Sequence, residues 1–468
     1  MGKESDNEIK MAIGSEGDSS QENTIKDILE AHQLNRRKFI KGSAAAVAAL
    51  SIGPFFMRES FASGPAASEW TIGTIYPLTG PMAFGGNEGM AGSQIAVDMI
   101  NAQGGANTQS GKKKIVFAKA NAPDQTAATS EMNRLIANEG VHVVTGSFSS
   151  AIAFTASAIA ERNKVIFWEN AAVITDLTRR GFQYLFRVDA SAMFTGGGAS
   201  RFVADYIAPI LKMEPKDIRI GVVWEDGSYG VTVRDGMMAG AKERGLQVVV
   251  DEGYSVKATD LSSVVLKLKA AKPDAILAAS IGADAIVLSK ALRDLNVNPK
   301  ALLGASGGFA VPGYSQNVGK ASNGVFSSDL PTEVNPKALT EKSLALRAEM
   351  LKRYHEMKGG QAPSTNVWNS FCGTMLLLDD VLSKVKTLDP DEVREAALSV
   401  DLPVGSLSNG MGAKFTPHNQ PDGGQNERAF TVVLQWWDSK LHVVYPDKFA
   451  LRKAEYIPLP TWAEREKV

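Results

Sequence analysis

Short stretches rich in β-branched and aromatic residues alternate along the chain with longer stretches in which apolar residues recur at helical spacing. From position 69 onward, this alternation predicts strands and helices in regular succession. The strands are predicted at residues 70–76, 115–118, 141–145, 165–168, 218–224, 247–250, 275–279 and 301–304, with short β-like segments at 430–435 and 441–445. The helices are predicted at residues 87–101, 126–138, 151–162, 229–244, 261–271, 283–295, 338–357 and 365–385.

Strands that alternate with helices at this spacing indicate parallel βαβ units with crossover helices. The alternation occurs in two series, which an extended segment at residues 182–189 separates. The roughly 400 residues involved are too many for one ordinary core and suit two domains. We therefore predict an α/β protein of two doubly wound parallel-sheet lobes, with a crossing near residues 188–191.

The N-terminal part of the chain carries a pattern typical of export. Asn35-Arg36-Arg37-Lys38-Phe39-Ile40-Lys41 precedes a small-residue apolar run, and together they resemble a twin-arginine signal. The run at residues 44–56 is shorter than the about 20 residues that a membrane span needs. Ala62 and Ala67 offer cleavage sites, with no cysteine nearby to carry a lipid. We expect residues 1–67 to be a disordered leader plus this signal, the export machinery to be a partner, and the periplasm to be the destination.

Composition and motifs argue against several function classes. The net charge of −1 gives no electrostatic footprint for nucleic acid. The single cysteine, Cys372, cannot form an intrachain disulfide, and its apolar surroundings predict a buried, inert thiol. The five histidines lack metal-site spacing, and no nucleophile elbow or P-loop occurs. Gly196-Gly197-Gly198 indicates close packing or a hinge neighbour rather than a dinucleotide loop. We therefore expect no enzyme activity, no cofactor and no metal.

Polar and aromatic residues at the predicted strand ends are the binding candidates. Ligands of doubly wound sheets lie beyond the carboxyl ends of the strands. Ser149 and Ser150 follow one strand and begin a helix, where they would either hold an anion or simply cap the helix. Trp168-Glu169 end the next strand. Asp226 and Tyr229 follow the first strand of the second series.

Several motifs, in order, resemble one protein family, the periplasmic substrate-binding proteins of ABC transporters of the branched-chain amino acid (Leu/Ile/Val-binding) type. The likeness runs from about Trp70 to Trp437. The residues that carry it are Pro77-Leu78-Thr79-Gly80-Pro81-Met82-Ala83-Phe84-Gly85, Ile100-Asn101-Ala102-Gln103-Gly104-Gly105, Val144-Thr145-Gly146-Ser147-Phe148-Ser149-Ser150, Asn170-Ala171-Ala172, Asp176-Leu177-Thr178-Arg179-Arg180-Gly181 and Ser228-Tyr229-Gly230.

The resemblance implies the type I periplasmic binding protein fold, in which two lobes joined by a three-crossing hinge close on a small molecule. It also implies a partner, an ABC permease in the inner membrane, and we expect a monomer. The expected boundaries are residues 68–190 and 328–428 for one lobe, residues 191–327 and 429–454 for the other, and residues 455–468 for a C-terminal tail.

The resemblance further implies a set of ligand-binding residues. Ser149 and Ser150 would hold the ligand carboxylate, and Ala171 and Val173 fall where the family offers backbone groups and usually a threonine hydroxyl. Phe84 and Tyr229 match aromatic residues that cover the ligand from each lobe. Two departures matter: Val173 has no hydroxyl, and Ser306 stands where amino-acid binders place a glutamate against the ligand ammonium.

The serine at position 306 leaves the class of ligand open. An unpaired buried charge costs roughly 3–5 kcal/mol. Glu169, Asp226 or Asp284 therefore takes over the ammonium of an amino acid, or the ligand has no ammonium. Trp168, Phe84 and Phe148 would suit an aromatic carboxylic acid, and a small amide such as urea would fit as well.

Two other functions compete with a solute-binding component of an importer. A sensor subunit that hands its ligand-bound form to a membrane receptor would use the same two-lobe trap. An exported enzyme is the other alternative, because export in the folded state often serves proteins that carry a cofactor. The lack of histidine–cysteine clusters and of a dinucleotide loop argues against that alternative.

Overall fold

A computed structural model describes residues 68–467. The leader and the twin-arginine signal predicted at residues 1–67 lie outside the described residues. Within residues 68–467, the prediction of an α/β protein with two mainly parallel sheets is confirmed. We call the first sheet with its packed helices lobe 1, and the second sheet with its packed helices lobe 2.

The sheet of lobe 1 is entirely parallel and has five strands in the order β2-β1-β3-β4-β5. Parallel strands need crossover connections, and helices provide most of them here. The strands are β1 Glu69–Tyr76, β2 Lys114–Asn121, β3 Val143–Gly146, β4 Ile166–Glu169 and β5 Leu185–Arg187. The helices are α1 Ala83–Ala102, α2 Gln125–Ala137 and α3 Ser150–Arg162.

The sheet of lobe 2 has seven strands in the order β12-β11-β10-β9-β8-β6-β7. Its first five strands along the chain are parallel, and the last two are antiparallel to their neighbours. The strands are β6 Arg219–Glu225, β7 Gln247–Tyr254, β8 Ala275–Ala279, β9 Ala301–Ala305, β10 Phe326–Asp329, β11 Val432–Trp437 and β12 Lys440–Tyr445. The helices are α4 Ala192–Phe202, α5 Ser228–Arg244, α6 Ser262–Ala271, α7 Asp284–Asp294 and α8 Pro312–Val318.

Three further helices follow β10 and return the chain to lobe 1. They are α9 Glu341–Lys358, α10 Thr365–Met375 and α11 Pro390–Leu398. Both α9 and α10 pack on α1 of lobe 1, and the chain then re-enters lobe 2 at β11. With the passage after β5, the chain crosses between the lobes three times. Within residues 68–467, no helix is both long enough and apolar enough to cross a membrane.

Several elements differ from the sequence prediction: α4, α8 and α11 are absent from it, β2 and β7 are longer than predicted, and three further differences have a clear cause. Helix α1 begins at Ala83 rather than at residue 87, and the helix predicted at residues 365–385 is α-helical only to Met375. It continues as a π-helical turn over Leu376–Val381, which hydrophobic periodicity does not distinguish from an α-helix. Strand β10 is absent from the prediction, because three of its four residues are polar and the segment has no apolar pattern.

The three glycines at residues 196–198 lie in α4, where lobe 2 packs two helices closely. A Cβ atom on Gly196 would lie 2.1 Å from the carbonyl oxygen of Val233 in α5. In return, a Cβ on Gly236 of α5 would lie 2.5 Å from the carbonyl oxygen of Ala192. Both glycines therefore allow a close helix–helix approach, and the close-packing interpretation of residues 196–198 is confirmed.

The segment after β12 lies along lobe 2 and ends in the short helix α12, Trp462–Arg465. Leu459 N–H donates to the carbonyl oxygen of Lys300 at 2.7 Å, and the Trp462 indole donates to that of Val297 at 2.8 Å. Trp462 is 4% exposed and packs in the core of lobe 2. The tail is therefore part of the packed structure of lobe 2.

Candidate functional site

The carboxyl ends of the parallel strands of the two lobes meet across a cleft. Thr175, which follows β4 in lobe 1, touches Thr232 on the first turns of α5 in lobe 2. The Thr175 N–H donates to the Thr232 hydroxyl oxygen at 3.3 Å, and the two hydroxyl groups lie 3.2 Å apart. Ligands of doubly wound sheets bind beyond this edge, so the cleft is the candidate ligand site.

Ser149 and Ser150 lie at the start of α3 on the lobe 1 side of the cleft. Ser149 is the N-cap residue with an extended backbone, yet its hydroxyl makes no capping hydrogen bond. Both residues are 3% exposed, and neither hydroxyl has a partner within residues 68–467. Ser149 therefore lacks the side-chain hydrogen bond that a helix-capping role requires. Free hydroxyls and N–H groups at a shielded helix start suit an anion.

Glu169, at the end of β4, organises the loops beside this helix start. Its carboxylate accepts the N–H groups of Ser147, Ala171 and Ala172 at 2.7–2.9 Å, together with the Ser147 hydroxyl at 3.0 Å. Burial raises the pKa of Glu169, and these hydrogen bonds oppose the rise. These internal donors engage both carboxylate oxygens of Glu169. The side chain therefore holds the loops in place, and few of its acceptor positions remain for a ligand ammonium.

The other lobe 1 candidates lie around the same loops. Ala171 and Val173 are 8% and 4% exposed, and the Val173 carbonyl oxygen accepts the N–H of Ala192 at 2.6 Å, just after the first crossing. Phe84 lies on the first turn of α1 and is 50% exposed. Such an exposed aromatic ring is available to cover a ligand.

Trp168 does not take the position that the sequence interpretation gave it. Its ring packs against Phe186 and Phe415 in the core of lobe 1, and its indole N–H donates to the Gly373 carbonyl oxygen at 2.8 Å. The side chain is completely buried. Because helices cover both faces of a parallel sheet, the strand pattern alone does not say which side chain reaches the cleft. We therefore exclude the Trp168 ring from the ligand contacts.

Lobe 2 repeats the arrangement of Glu169 with Glu225, at the end of β6. The Glu225 carboxylate accepts the N–H groups of Gly227 and Gly230 at 2.7 and 2.6 Å and so fixes the loop that leads into α5. Burial raises its pKa, and the two N–H groups oppose the rise. Asp226 is exposed, and within residues 68–467 its carboxylate accepts only one hydrogen bond, a long one of 3.4 Å from the N–H of Val256. These contacts do not direct Asp226 toward a ligand.

Tyr229, Ser306 and Asp329 form a connected polar group on the lobe 2 side. The Tyr229 hydroxyl donates to the Ala305 carbonyl oxygen and contacts the Ser306 side chain. The Ser306 side chain lies near the carboxylate of Asp329 and opposes the rise in its pKa, while the Ser306 N–H donates to the Ser327 hydroxyl oxygen at 3.2 Å. Burial raises the pKa of Tyr229 well above its ordinary value, and the negative charge of Asp329 adds to the rise.

The backbone of Ser306 has an unusual conformation. Its φ of 64° and ψ of −158° fall in a region that is almost exclusive to glycine. A serine there costs roughly 1–3 kcal/mol of backbone strain. Residues held in this way concentrate at ligand-binding and active sites, so the strain supports a functional role for Ser306.

Asp329 belongs to this polar group and was not among the residues that the sequence interpretation singled out. It ends β10, the strand that the pattern did not predict, and is completely buried. The Thr365 hydroxyl donates to it at 3.2 Å and the Leu330 N–H at 2.7 Å. The only signal in the sequence was a carboxylate two residues before a proline. Asp284, the third carboxylate considered for an ammonium, instead accepts the Gly282 N–H and the Tyr254 hydroxyl.

A partly open cavity of about 290 Å³ lies elsewhere in the described part of the chain, between α9, α10 and the loop near residue 407. Its lining is mostly apolar, including Met375, Leu376 and Leu402. Lys342 and Asp379, which contribute to its lining, already pair with each other at 2.8 Å. The cavity shares no lining residue with the cleft, and its charged groups are satisfied.

The chain matches a family model described as "Periplasmic binding protein" over residues 69–434. This match covers well over half of the chain. The chain belongs to the periplasmic binding protein family. The two lobes, the three crossings and the cleft at the strand ends agree with this assignment, which confirms the family resemblance drawn from the motifs.

Curated relatives and solved structures point in the same direction. The Leu/Ile/Val-binding protein homolog 8 of Brucella suis is 32% identical over 399 residues, covering 85% of this chain and 96% of the relative. Homolog 7 of Brucella abortus is 33% identical over 408 residues, covering 87% and 97%. These relatives match this periplasmic binding protein over nearly their whole length.

Among solved structures, a leucine-binding protein, LivK, of Thermotoga maritima has a TM-score of 0.66 at 20% identity, covering 80% of this chain and 97% of its own. LivJ of Streptococcus pneumoniae, solved in complex with isoleucine, has a TM-score of 0.65 at 20% identity, covering 80% and 97%. At this identity, the two structures establish the type I fold.

Proposed function

We propose that this protein is the solute-binding component of an ABC importer and captures one small molecule between its two lobes. The observation that carries the proposal is the start of α3, where two serine residues that are each 3% exposed have hydroxyl groups without a hydrogen-bond partner within residues 68–467. A ligand carboxylate or another strongly polar oxygen satisfies such a helix start. Membership of the periplasmic binding protein family supports the same function.

The proposed site draws on both lobes. In lobe 1, Ser149 and Ser150 bind the anionic group and the loop carrying Ala171 and Val173 supplies backbone groups, while Phe84 covers the ligand. In lobe 2, Tyr229 and Ser306 close the site. Glu169 contributes by holding the lobe 1 loops in place rather than by touching the ligand.

The proposal also covers where the protein acts and with what. The twin-arginine motif supports export of the folded chain to the periplasm, with the signal removed. There the closed, ligand-bound form docks on an ABC permease of the inner membrane as a monomer, without catalysis or cofactor. The names of the relatives make an amino acid one candidate ligand. Carboxylates and amides without an ammonium are the other candidates, because Ser306 replaces the glutamate that contacts the ligand ammonium in amino-acid binders.

A thermal-shift screen tests this function. A ligand that binds only the native state raises the melting temperature, and a concentration about a hundred times Kd stabilises that state by about 2.7 kcal/mol. The panel contains amino acids, aliphatic and aromatic carboxylates, and short amides including urea. We expect at least one compound to raise the melting temperature by several degrees.

The double variant Ser149→Ala/Ser150→Ala is the matched test of the site. Each lost hydrogen bond to a charged group is worth about 1.5–3 kcal/mol, so we expect at least about a tenfold loss of affinity. The melting temperature without ligand should stay unchanged, because the two hydroxyls make no internal hydrogen bond. Ser130→Ala, at an exposed serine of α2, serves as control. Silence across the panel, or unchanged affinity in the double variant, would argue against the function or the site respectively.

A further inference from the structure

The cavity between α9, α10 and the loop near residue 407 has room for a small molecule of its own. Its volume is about 290 Å³. Protein interiors are packed almost as densely as organic crystals, and few of their voids exceed the size of a water molecule. An apolar cavity of roughly 150 Å³ is already large enough to bind benzene. The space here is about twice as large, so a compound of one or two rings fits its volume.

The buried part of the cavity lining is largely apolar. Cys372 and Met375 of α10 and Leu407 of the loop line it and are 2–6% exposed. Leu346 of α9 and Leu402 of the loop, both half-buried, complete the apolar lining on either side. Removing the apolar surface of a ligand from water against such a lining is favourable in proportion to the area that is buried.

The loop wall of the cavity is fastened to the start of α9. The Thr340 N–H and the Ser343 hydroxyl donate to the carbonyl oxygen of Gly405 at 3.1 and 2.9 Å, and the Ser408 hydroxyl donates to that of Ser343 at 3.3 Å. Gly405 has a φ of 103°, and a Cβ there would lie 2.4 Å from the carbonyl oxygen of Ala338. These contacts fix the loop, so the cavity is preformed, as ligand sites usually are.

The helix on the other side departs from α-helical geometry at the cavity. Helix α10 continues as the π-helical turn Leu376–Val381. Leu376, Asp379 and Asp380 of this turn all line the cavity. Turns of this kind are rare and occur frequently at functional sites. The irregular turn is therefore a second observation, independent of the volume, that points to a ligand site here.

The charged side chains of the lining pair with one another. The Lys342 ammonium lies 2.8 Å from a carboxylate oxygen of Asp379 and 3.9 Å from one of Asp380. Lys342 and Thr340 are exposed, which places the opening of the cavity at the start of α9. A ligand cation would compete with Lys342 for these carboxylates, and a ligand carboxylate would add a third negative charge beside them. The lining therefore favours a neutral molecule.

We propose that this cavity is a second small-molecule site, separate from the cleft, which binds a neutral and mainly apolar compound of one or two rings. Indole and toluene are suitable probes of this class. The apolar part of the lining holds the ring, and the ion pair of Lys342 with Asp379 borders the opening. The site is independent of the solute that the cleft captures.

Methyl NMR of protein labelled with [methyl-¹³C]methionine tests the site. Met375→Leu identifies the Met375 resonance, and Met132 of α2, which does not line the cavity, is the reference. We expect indole and toluene to shift the Met375 resonance saturably, with a Kd of about 1 mM or lower, and to leave that of Met132 in place. Benzylammonium and benzoate have the same ring as toluene but carry a charge, so they should bind at least about tenfold more weakly at Met375.

Variants that fill the cavity locate the binding. Leu402→Trp at its flank, or Cys372→Leu deeper inside, should weaken the binding of indole at least about tenfold. The second variant decides the matter if the first does not fold. Leu266→Trp makes the same change at a residue of α6 that is 52% exposed, and it should bind indole as the wild type does. Melting curves verify that each variant is folded.

Three outcomes would overturn the inference. They are a Met375 resonance that no neutral compound shifts, tighter binding of a charged compound than of the neutral ones at Met375, or unchanged indole affinity in every folded cavity-filling variant. A shift confined to other methionines places the compound elsewhere and counts as the first outcome. The solute-binding function would stand in each case, because the thermal-shift panel and the serine variants of the cleft test it separately.

Discussion

The carboxyl group of Asp329 gives a pH-dependent test at the scale of a single residue. Burial raises its pKa from the ordinary 3.8 to about 6. The folded protein holds this proton more tightly than the unfolded chain does, so the group's contribution to stability is complete below about pH 4 and is lost as the pH rises through about 6. A difference of this size is worth roughly 3 kcal/mol at most.

We therefore expect Asp329→Asn, which cannot ionise, to gain stability relative to the wild type between about pH 4 and about pH 7, by up to roughly 3 kcal/mol. Urea unfolding of the ligand-free proteins at both pH values measures the change. Asp235→Asn, at an exposed carboxylate, is the control. Its free energy of unfolding relative to the wild type should show no such gain between the two pH values. A gap between Asp329→Asn and wild type that is the same at both pH values would contradict a buried, proton-holding carboxyl.

The sequence predicts the placement of a residue best where that residue follows a strand or begins a helix. Ser149 and Ser150 stand at the start of α3 and Tyr229 in the first turn of α5, as the pattern indicated, and their contact with a ligand stays a prediction. The Trp168 ring does not reach the cleft, because both faces of its strand are buried and only the tertiary packing decides which side chain does. Asp329 was not found, because its burial and its hydrogen bond from Thr365 depend on packing between segments that are distant in sequence.

At the scale of elements, the contact between α4 and α5 offers the clearest test. Any side chain at Gly196 would press on the α5 backbone, since a Cβ there would lie 2.1 Å from the carbonyl oxygen of Val233. Overpacking of this kind costs about 1–3 kcal/mol, occasionally more. We expect Gly196→Ala to reduce the free energy of unfolding by at least that amount in urea unfolding.

Gly313→Ala in α8 is the matched control. Nothing lies within 4 Å of a Cβ at this glycine, which is also helical. Alanine has the higher helix propensity, so this variant should be neutral or more stable by up to about 1 kcal/mol. If both variants lost the same stability, the glycines of α4 would matter for a reason other than the close approach.

Elements with a strong apolar pattern could be predicted from the sequence, and those whose identity depends on their neighbours could not. Strands such as β8, entirely apolar and completely buried, agree with prediction within a residue. Strand β10 is Phe-Ser-Ser-Asp, and it is a strand because β9 and β11 pair with it on either side. Its serines are satisfied by tertiary contacts, for example Ser328 with the Thr195 carbonyl oxygen at 2.7 Å. No local pattern encodes such contacts.

For the molecule as a whole, capture of a solute requires the two lobes to move relative to each other. Ser149, Ser150 and Tyr229 are only 3–7% exposed while Thr175 touches Thr232. A solute can reach Ser149, Ser150 and Tyr229 only if the lobes separate, and the three crossings are the segments that would bend.

Capture of a solute between the lobes can be measured directly as a change in the distance between the lobes when solute is added. Thr126, at the start of α2, and Lys257, after β7, are exposed residues beyond the strand ends of lobes 1 and 2. Spin labels on Thr126→Cys and Lys257→Cys report this distance by electron–electron double resonance. The native Cys372 is 2% exposed, so labelling is selective.

The measurement uses mixtures of amino acids, of carboxylates and of short amides, each added to the doubly labelled protein. Capture of a solute predicts that at least one mixture shifts the distance distribution to shorter values, and that this shift is lost when Ser149→Ala/Ser150→Ala is also present. A distribution that no mixture changes would contradict capture of a solute between the lobes.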